Sequence, residues 1–303
     1  MMEAFERQAR YFYSRLPDDI VCLEIGTGTG ILSAYLHTVL SSLPAVEASA
    51  DSTTVSRKRA HMTAVDINPS AVEVATETFR RNHIRGQVVL SDLTDSVEQE
   101  LEHKVHIMFF NHPYVPCPQE EFEAADMHAR SYAGGRKGRE VLDRLIPRIP
   151  KLLSDHQNAA FYVVVLHPGN DISELNQLMA DQAGLSCAGI VVARREGIES
   201  LAIVRYTRQQ LETSGDGDRL PQATPEELLR IIRQNEGTHR PVISNNPVTP
   251  KTEEEVSGSQ ACGALPVHPA SHQQESKKGA VDEGENDNED EDEDDEGMRS
   301  FWK

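Results

Sequence analysis

The chain has 303 residues, 49 Asp and Glu against 30 Lys and Arg for a formal charge of −19, and only 38% hydrophobic and 5% aromatic residues. The length allows a sizeable core in one or two domains, but the apolar shortfall means that part of the chain does not join it. Residues 213–303 hold 21 acidic and 9 basic residues, so 1–212 carry only −7, which argues against a broad counterion-releasing nucleic-acid surface and leaves room only for a local basic groove.

From Ile20 to Tyr206 short apolar runs alternate with helical patterns. Strands are expected at Val21–Ile25, Met62–Val65, Gln87–Leu90, Val105–Phe110, Ala159–Leu166, Cys187–Ala193 and Leu201–Tyr206. Helices are expected at Ile31–Leu40, Ser70–Arg81, Gly138–Leu153 and Ile172–Ala183. Such alternation specifies an α/β fold, a mostly parallel sheet covered on both faces. Only Arg194–Ser200 joins the last two strands, too short for a parallel crossover, so they should pair antiparallel.

The stretch Ser41–His61 is rich in Ser, Ala and Thr and reads as a loop insertion. It ends in Arg57-Lys58-Arg59, more readily a solvated loop than a nuclear-import signal. Residues 1–212 form the expected folded domain. Residues 213–235 read as a linker with a short helix, where Thr224-Pro225-Glu226-Glu227 caps Leu228–Arg233. Residues 236–303 read as a disordered acidic tail, since 12 of the 15 residues Asp282–Glu296 are acids.

The four cysteines, Cys22, Cys117, Cys187 and Cys262, lack Cys-x-x-Cys spacing, and the histidines form no ligand cluster. A reduced chain without a bound metal is expected. With no apolar run of roughly 18 residues and no signal-peptide pattern, the expectation is a soluble protein of the cytoplasm or nucleus.

The first strand ends in Glu24-Ile25-Gly26-Thr27-Gly28-Thr29-Gly30 and leads into a helix. Glycines there permit a tight turn and close approach of a ligand to the backbone. The spacing is G-x-G-x-G, not the G-x-G-x-x-G of dinucleotide sites, and Glu24 stands two residues before it. A pyrophosphate repels a carboxylate, whereas a ligand carrying an ammonium and a sulfonium attracts one, which favours S-adenosylmethionine. Asp66, at the end of the second strand, can accept both hydroxyls of a ribose. Asp92, in Ser91-Asp92-Leu93 after the third strand, is placed to accept from an adenine amino group. An Asp after a strand is as often a helix cap, but acids at three successive strand ends point together to the cofactor.

The fourth strand runs into Asn111-His112-Pro113-Tyr114. The plain reading is a proline turn after a buried strand. The chemical reading is a site for methylating an amino group whose lone pair is delocalised. The Asn111 side-chain oxygen and a neighbouring backbone carbonyl can accept both N–H bonds and aim the nitrogen. Pro113 biases residue 112 towards extended backbone, and Tyr114 can pack on the planar group. No strong base is required before transfer.

Together, Glu24–Gly30, Asp66-Ile67-Asn68-Pro69, Ser91-Asp92-Leu93 and Asn111–Tyr114 resemble the class I methyltransferases of the HemK type. The segment Tyr132-Ala133-Gly134-Gly135-Arg136-Lys137-Gly138-Arg139-Glu140-Val141-Leu142-Asp143 is similar to the eukaryotic and archaeal branch. The resemblance covers about residues 1–208. It implies a Rossmann-like seven-stranded sheet and methylation of the glutamine in the Gly-Gly-Gln motif of class 1 peptide chain release factors. It further implies a small zinc-binding activator subunit as heterodimer partner. By the same resemblance Glu24, Gly26, Gly28, Gly30, Asp66, Asp92, Leu93 and Asn111 contact the cofactor. Asn111, His112, Pro113 and Tyr114 are the catalytic four, with Val115 beside Asn111, Pro113 and Tyr114 on the substrate.

Two features depart from the family pattern. His112 replaces the first proline of Asn-Pro-Pro-Tyr, which is tolerable where the residue supplies its carbonyl and costs rigidity. Met1–Glu6 looks like the middle of the family's first helix, so the upstream segment that helps close the cofactor site is expected to be absent. The Gly134-Gly135-Arg136 stretch reads equally as a flexible helix cap or, through Arg136 and Arg139, as a guide for a protein substrate. Adenine N6 in nucleic acid, a protein lysine, and a non-catalytic cofactor-binding scaffold are the alternatives.

Overall fold

The computed structural model describes residues 1–42, 58–196, 199–208 and 220–238. Seven strands form one sheet: β1 (Asp19–Ile25), β2 (Arg59–Asp66), β3 (Gly86–Leu90), β4 (Ile107–Phe110), β5 (Ala160–His167), β6 (Ser186–Glu196) and β7 (Glu199–Thr207). Their order is β3-β2-β1-β4-β5-β7-β6. The first five are parallel, while β7 runs antiparallel to both β5 and β6, as the short connection requires.

The helices are α1 (Met2–Arg15), α2 (Ile31–Ser42), α3 (Pro69–Arg81), α4 (Glu98–Leu101), α5 (Gln119–Glu123), α6 (Glu140–Leu145), α7 (Ile149–Leu152), α8 (Ile172–Ala183) and α9 (Pro225–Thr238). Phe5, Phe12, Leu36, Leu40 and Phe79, from α1 to α3, pack on one face of the sheet. Leu101, Leu142, Leu145, Ile149, Leu152, Leu175, Met179 and Leu228, from α4 and α6 to α9, pack on the other. With both faces covered, β4 and nearly all of β5 read as unbroken apolar runs. Among the described residues no helix is long and apolar enough to cross a membrane.

Three boundaries differ from the sequence reading, each for a local reason. The helix expected over Gly138–Leu153 is α6, a 3₁₀ turn at Ile146–Arg148, and α7; Pro147 and Pro150 lack the N–H that one continuous helix needs. The fourth strand starts at Ile107 because Val105 pairs elsewhere, its N–H donating to Leu152 and its carbonyl accepting from Ser154. The insertion over 41–61 is shorter, since α2 runs to Ser42 and β2 begins at Arg59; residues 43–57 lie outside the described residues. Of the basic run, Lys58 donates to the Leu16 carbonyl at 2.7 Å and Arg59 pairs with Asp19, so both brace the sheet.

The expected linker helix belongs to the folded body. Ala223, Leu228 and Ile232 are buried in the core and Ile190 donates to the Pro221 carbonyl at 2.7 Å, tying this segment to β6. Leu228, Ile231 and Ile232 fall at i, i+3 and i+4, one stripe of a helix. The acidic stretch from 239 onwards, Cys262 included, lies outside the described residues.

Candidate active site

The sheet order sets the site. β1 lies between β2 and β4, and the registers Ile25↔Val65, Asp66↔Leu90 and Ile25↔Phe110 bring the carboxyl ends of four strands to one level. Gly26, Asp66, Ser91 and Asn111 therefore leave the sheet side by side, in the crevice where the winding of the sheet changes direction.

The glycine loop is stitched from below. Glu24 is buried beneath it; its Oε2 accepts from the Thr27 hydroxyl at 2.8 Å and from both the N–H and the hydroxyl of Ser33. Burial pushes its carboxyl up to about 7 against those favourable hydrogen bonds. Glu24 thus shapes the loop from beneath. Gly28 has φ of +55° and open space where a Cβ would stand, so its backbone faces the crevice. Its N–H donates to Asp66 Oδ2 at 2.8 Å, while Asp66 Oδ1 accepts from the Asn68 N–H at 2.9 Å. Each oxygen of that carboxylate keeps a further lone pair for a ligand hydroxyl.

The remaining cofactor candidates divide. Asp92 Oδ2 is taken by Arg144 at 2.6 Å, which leaves Oδ1 for an amino group. Leu93 turns its side chain into the core with a left-handed φ of +52°, so only its backbone can face a ligand.

The reactive loop is fastened differently. Asn111 is exposed, and among the described residues nothing donates to its side-chain oxygen or to the His112 carbonyl. The His112 ring is buried; Nε2 lies 2.9 Å from the Val164 carbonyl and Nδ1 3.1 Å from the Pro113 carbonyl. Val164 is one residue past the last β4–β5 pair, Phe110↔Val163, so the imidazole extends the ladder where the backbone leaves it. Burial pushes the ring down to about 4, and in its neutral form it can donate to only one of the two carbonyls. The ring also meets Phe110 and Tyr114 at centroid distances of 5.6 and 6.0 Å. The rigidity expected to be lost with the family's proline is supplied by the histidine side chain, which faces the core and not the crevice.

A second loop clamps the first. Val115 donates to the Tyr132 carbonyl, Cys117 to that of Gly135, and Gly134 to that of Val115, all within 2.8–2.9 Å. A Cβ on Gly134 would come within 2.3 Å of the Pro113 carbonyl, and one on Gly138 within 2.2 Å of the Tyr114 carbonyl. The fully buried Asn170 is the rivet. Its amide nitrogen donates to the carbonyls of Tyr114, Lys137 and Gly138, and its oxygen accepts from the Leu166 N–H. Arg139, 1% exposed, donates to the carbonyls of Asn170 and Asp171 and pairs with Glu174 at 3.0 Å. The reading of Arg139 as a guide for substrate is therefore corrected: its charge is spent inside the protein. Arg136 stays exposed, as does Val115 at 38% beside the half-exposed Tyr132. Neither Asn170 nor the inward role of His112 is visible in a local motif, because Val164, Tyr114, Lys137 and Gly138, which they hold, lie 32 to 56 residues away.

A family model described as Methyltransferase small domain matches residues 4–127. The mouse protein named Methyltransferase HEMK2 is 34% identical over 188 residues, 62% of this chain and 78% of that one, and its human counterpart is 33% identical over the same shares. The chain belongs to the HemK-type methyltransferases. A Methanocaldococcus jannaschii protein, named provisionally as a protein N5-glutamine methyltransferase, is 30% identical over 131 residues, 43% of this chain and 55% of that one.

The cofactor that a HemK-type enzyme implies, S-adenosylmethionine, suits the residues present. Asp66 has acceptor capacity for a ribose diol, Gly28 leaves room at the backbone, and the carboxylates of Asp66 and Asp92 suit a cationic ligand better than a phosphate.

Proposed function

We propose that this methyltransferase uses S-adenosylmethionine to methylate the side-chain amide nitrogen of a glutamine, in the Gly-Gly-Gln motif of a class 1 peptide chain release factor. The observation that carries this reading is the pair of unengaged acceptors just past the end of β4, the exposed Asn111 amide oxygen and the His112 carbonyl. An amide nitrogen has two N–H groups and a lone pair drawn into its carbonyl. Two acceptors that hold both protons push electron density back onto the nitrogen and fix its direction, so positioning and electrostatics supply the catalysis. The cofactor, when bound, supplies an electrophilic methyl group. Tyr114 and Pro113 border the planar amide, and Asn111 and the His112 carbonyl hold its protons until one departs to water.

The surroundings favour a protein over a nucleic acid. Glu120, Glu121, Glu123 and Asp126 are exposed just after the reactive loop, where phosphates would be repelled. The same acids would keep a lysine protonated and poorly nucleophilic. As partner we propose the small zinc-binding activator subunit; the outer edge of β3, with Leu90 half exposed, is one surface open to it.

The test uses labelled cofactor with the full chain, alone and co-expressed with such a subunit, offered a release factor, its Gln→Ala variant, or DNA. Label on the release factor that vanishes with the variant is expected. Transfer only to DNA, or to the Gln→Ala variant undiminished, would reject the glutamine.

A further inference from the structure

On the α1 face of the sheet, two strands beyond β4, a cavity of about 290 Å³ opens between α1, the β6–β7 edge and the segment leading into α9. None of its lining residues belongs to the glycine loop, Asp66 or the reactive loop. Arg7, Arg10, Arg205 and Gln8 supply its polar groups, Tyr11 lines it too, and Ile190, Val191, Leu220, Pro221 and Ile231 supply apolar wall. Among the described residues no acid lines it.

Arg205 is the telling member. It is 2% exposed, and among the described residues no carboxylate pairs with it. Its Nη1 donates to Gln8 Oε1 at 2.6 Å and its guanidinium lies 4.5 Å from the Tyr11 ring centroid, while Nε is enclosed without a partner. The Gln8 oxygen, the Tyr162 hydroxyl and one aromatic face are all uncharged and recover only part of what burying a guanidinium costs. Gln8 is equally committed: its oxygen takes both Arg205 and the Tyr162 hydroxyl, so its amide nitrogen is left as a donor. Arg10 is exposed and forms no ion pair among the described residues. Glu3, on the same helix, is already shared between Arg7 and Arg194. Arg7 also donates to the Val191 carbonyl at 3.2 Å, which fixes it against β6.

The cavity therefore has several donors, excess positive charge and apolar walls. Its volume is at the small end of pockets that take organic ligands. We propose that it binds a small organic anion, a carboxylate or phosphate on a compact apolar body, whose oxygens would neutralise Arg205 and Arg10 together and whose body would lie on Ile190, Leu220 and Pro221. A guanidinium pair of this kind suits oxyanions because each offers paired N–H donors.

The probes are phenyl phosphate and benzoate, with benzyl alcohol as the uncharged control, added to the full chain at fixed ionic strength. Saturating binding of at least one of the two anions is expected to raise the melting temperature by about 5 °C, with benzyl alcohol without effect. Comparing the two anions tells whether phosphate or carboxylate is the preferred headgroup. Arg205→Met and Arg10→Ala are each expected to weaken the anion at least about tenfold. Arg10 is exposed, so its variant keeps the test decisive if Arg205→Met does not fold. Equal response to benzyl alcohol, undiminished binding by Arg10→Ala, or displacement of the anion by S-adenosylmethionine would overturn the proposal.

Discussion

The glycine loop and the reactive loop leave adjacent strands at the same level, yet they are held by opposite means. Gly26–Gly30 is fixed by its own neighbourhood: Glu24 and Ser33 below, and Asp66 from the next strand in sequence. Asn111–Tyr114 is fixed from afar, by Val164, Asn170 and the Gly134–Arg139 loop. The first arrangement lets a small ligand come and go without disturbing the scaffold. The second immobilises two carbonyl-type acceptors, which catalysis by positioning demands.

Breaking the reactive side should therefore cost turnover, and breaking its remote supports should cost both turnover and stability. Asn111→Ala is expected to lower methyl transfer by about 100-fold or more, with cofactor affinity by titration calorimetry changed only a few-fold. An equal loss of cofactor binding would show that the two loops are not separable. Asn170→Ala leaves the carbonyls of Tyr114, Lys137 and Gly138 without their shared donor. About 2–3 kcal/mol of stability should be lost in denaturant unfolding, together with a fall in kcat larger than any rise in KM for cofactor. Gly28→Ala, by contrast, meets no protein atom but must hold a φ of +55°. About 1 kcal/mol of stability and a weaker cofactor are expected, with transfer at saturating cofactor nearly intact.

The smallest and sharpest effect is in pH. Glu24 has its carboxyl raised to about 7 by burial, so the folded state holds a proton that the unfolded state has released. Its contribution to stability is greatest below pH 4.5 and is lost as pH rises through 7. His112 has its ring pushed down to about 4, so the unfolded state takes the proton first. Its contribution is complete above pH 6.5 and is lost as pH falls towards 4. The two loops thus tilt stability in opposite directions across nearly the same interval. Unfolding free energies measured from pH 4.5 to 7 should rise more steeply with pH in Glu24→Gln than in the wild type. In His112→Gln they should rise less steeply than in the wild type, since His106, also pushed down to about 4 by burial, keeps part of the rise. Parallel curves for both variants would show that neither group titrates as its burial requires.

The same contrast explains what could be read from the residues alone. The sheet, its antiparallel final pair and the cofactor crevice follow from short apolar runs and from motifs confined to a few consecutive positions. The chemistry proposed for Asn111–Tyr114 is likewise read from four consecutive residues. Its support is not: Asn170 is an ordinary asparagine after a strand, and Arg139 looked like a surface cation because nothing local announces that Glu174 and two carbonyls await it. Pro147 and Pro150 stand in the sequence itself, and their missing N–H groups are what divides the helix. The cap of α9 is legible too, but three apolar residues on one stripe do not say which surface they will cover.

That helix has a practical consequence for anyone shortening the chain. The sheet ends at Thr207, but the folded body continues through α9, whose Leu228 and Ile232 fill the core against β6. Cutting after residue 212 would remove those two side chains, each contributing about 1.5–3 kcal/mol by burial, and would strip the donor at Ile190 of its partner Pro221. A truncation that discards the acid-rich segment and spares the enzyme has to fall beyond Thr238.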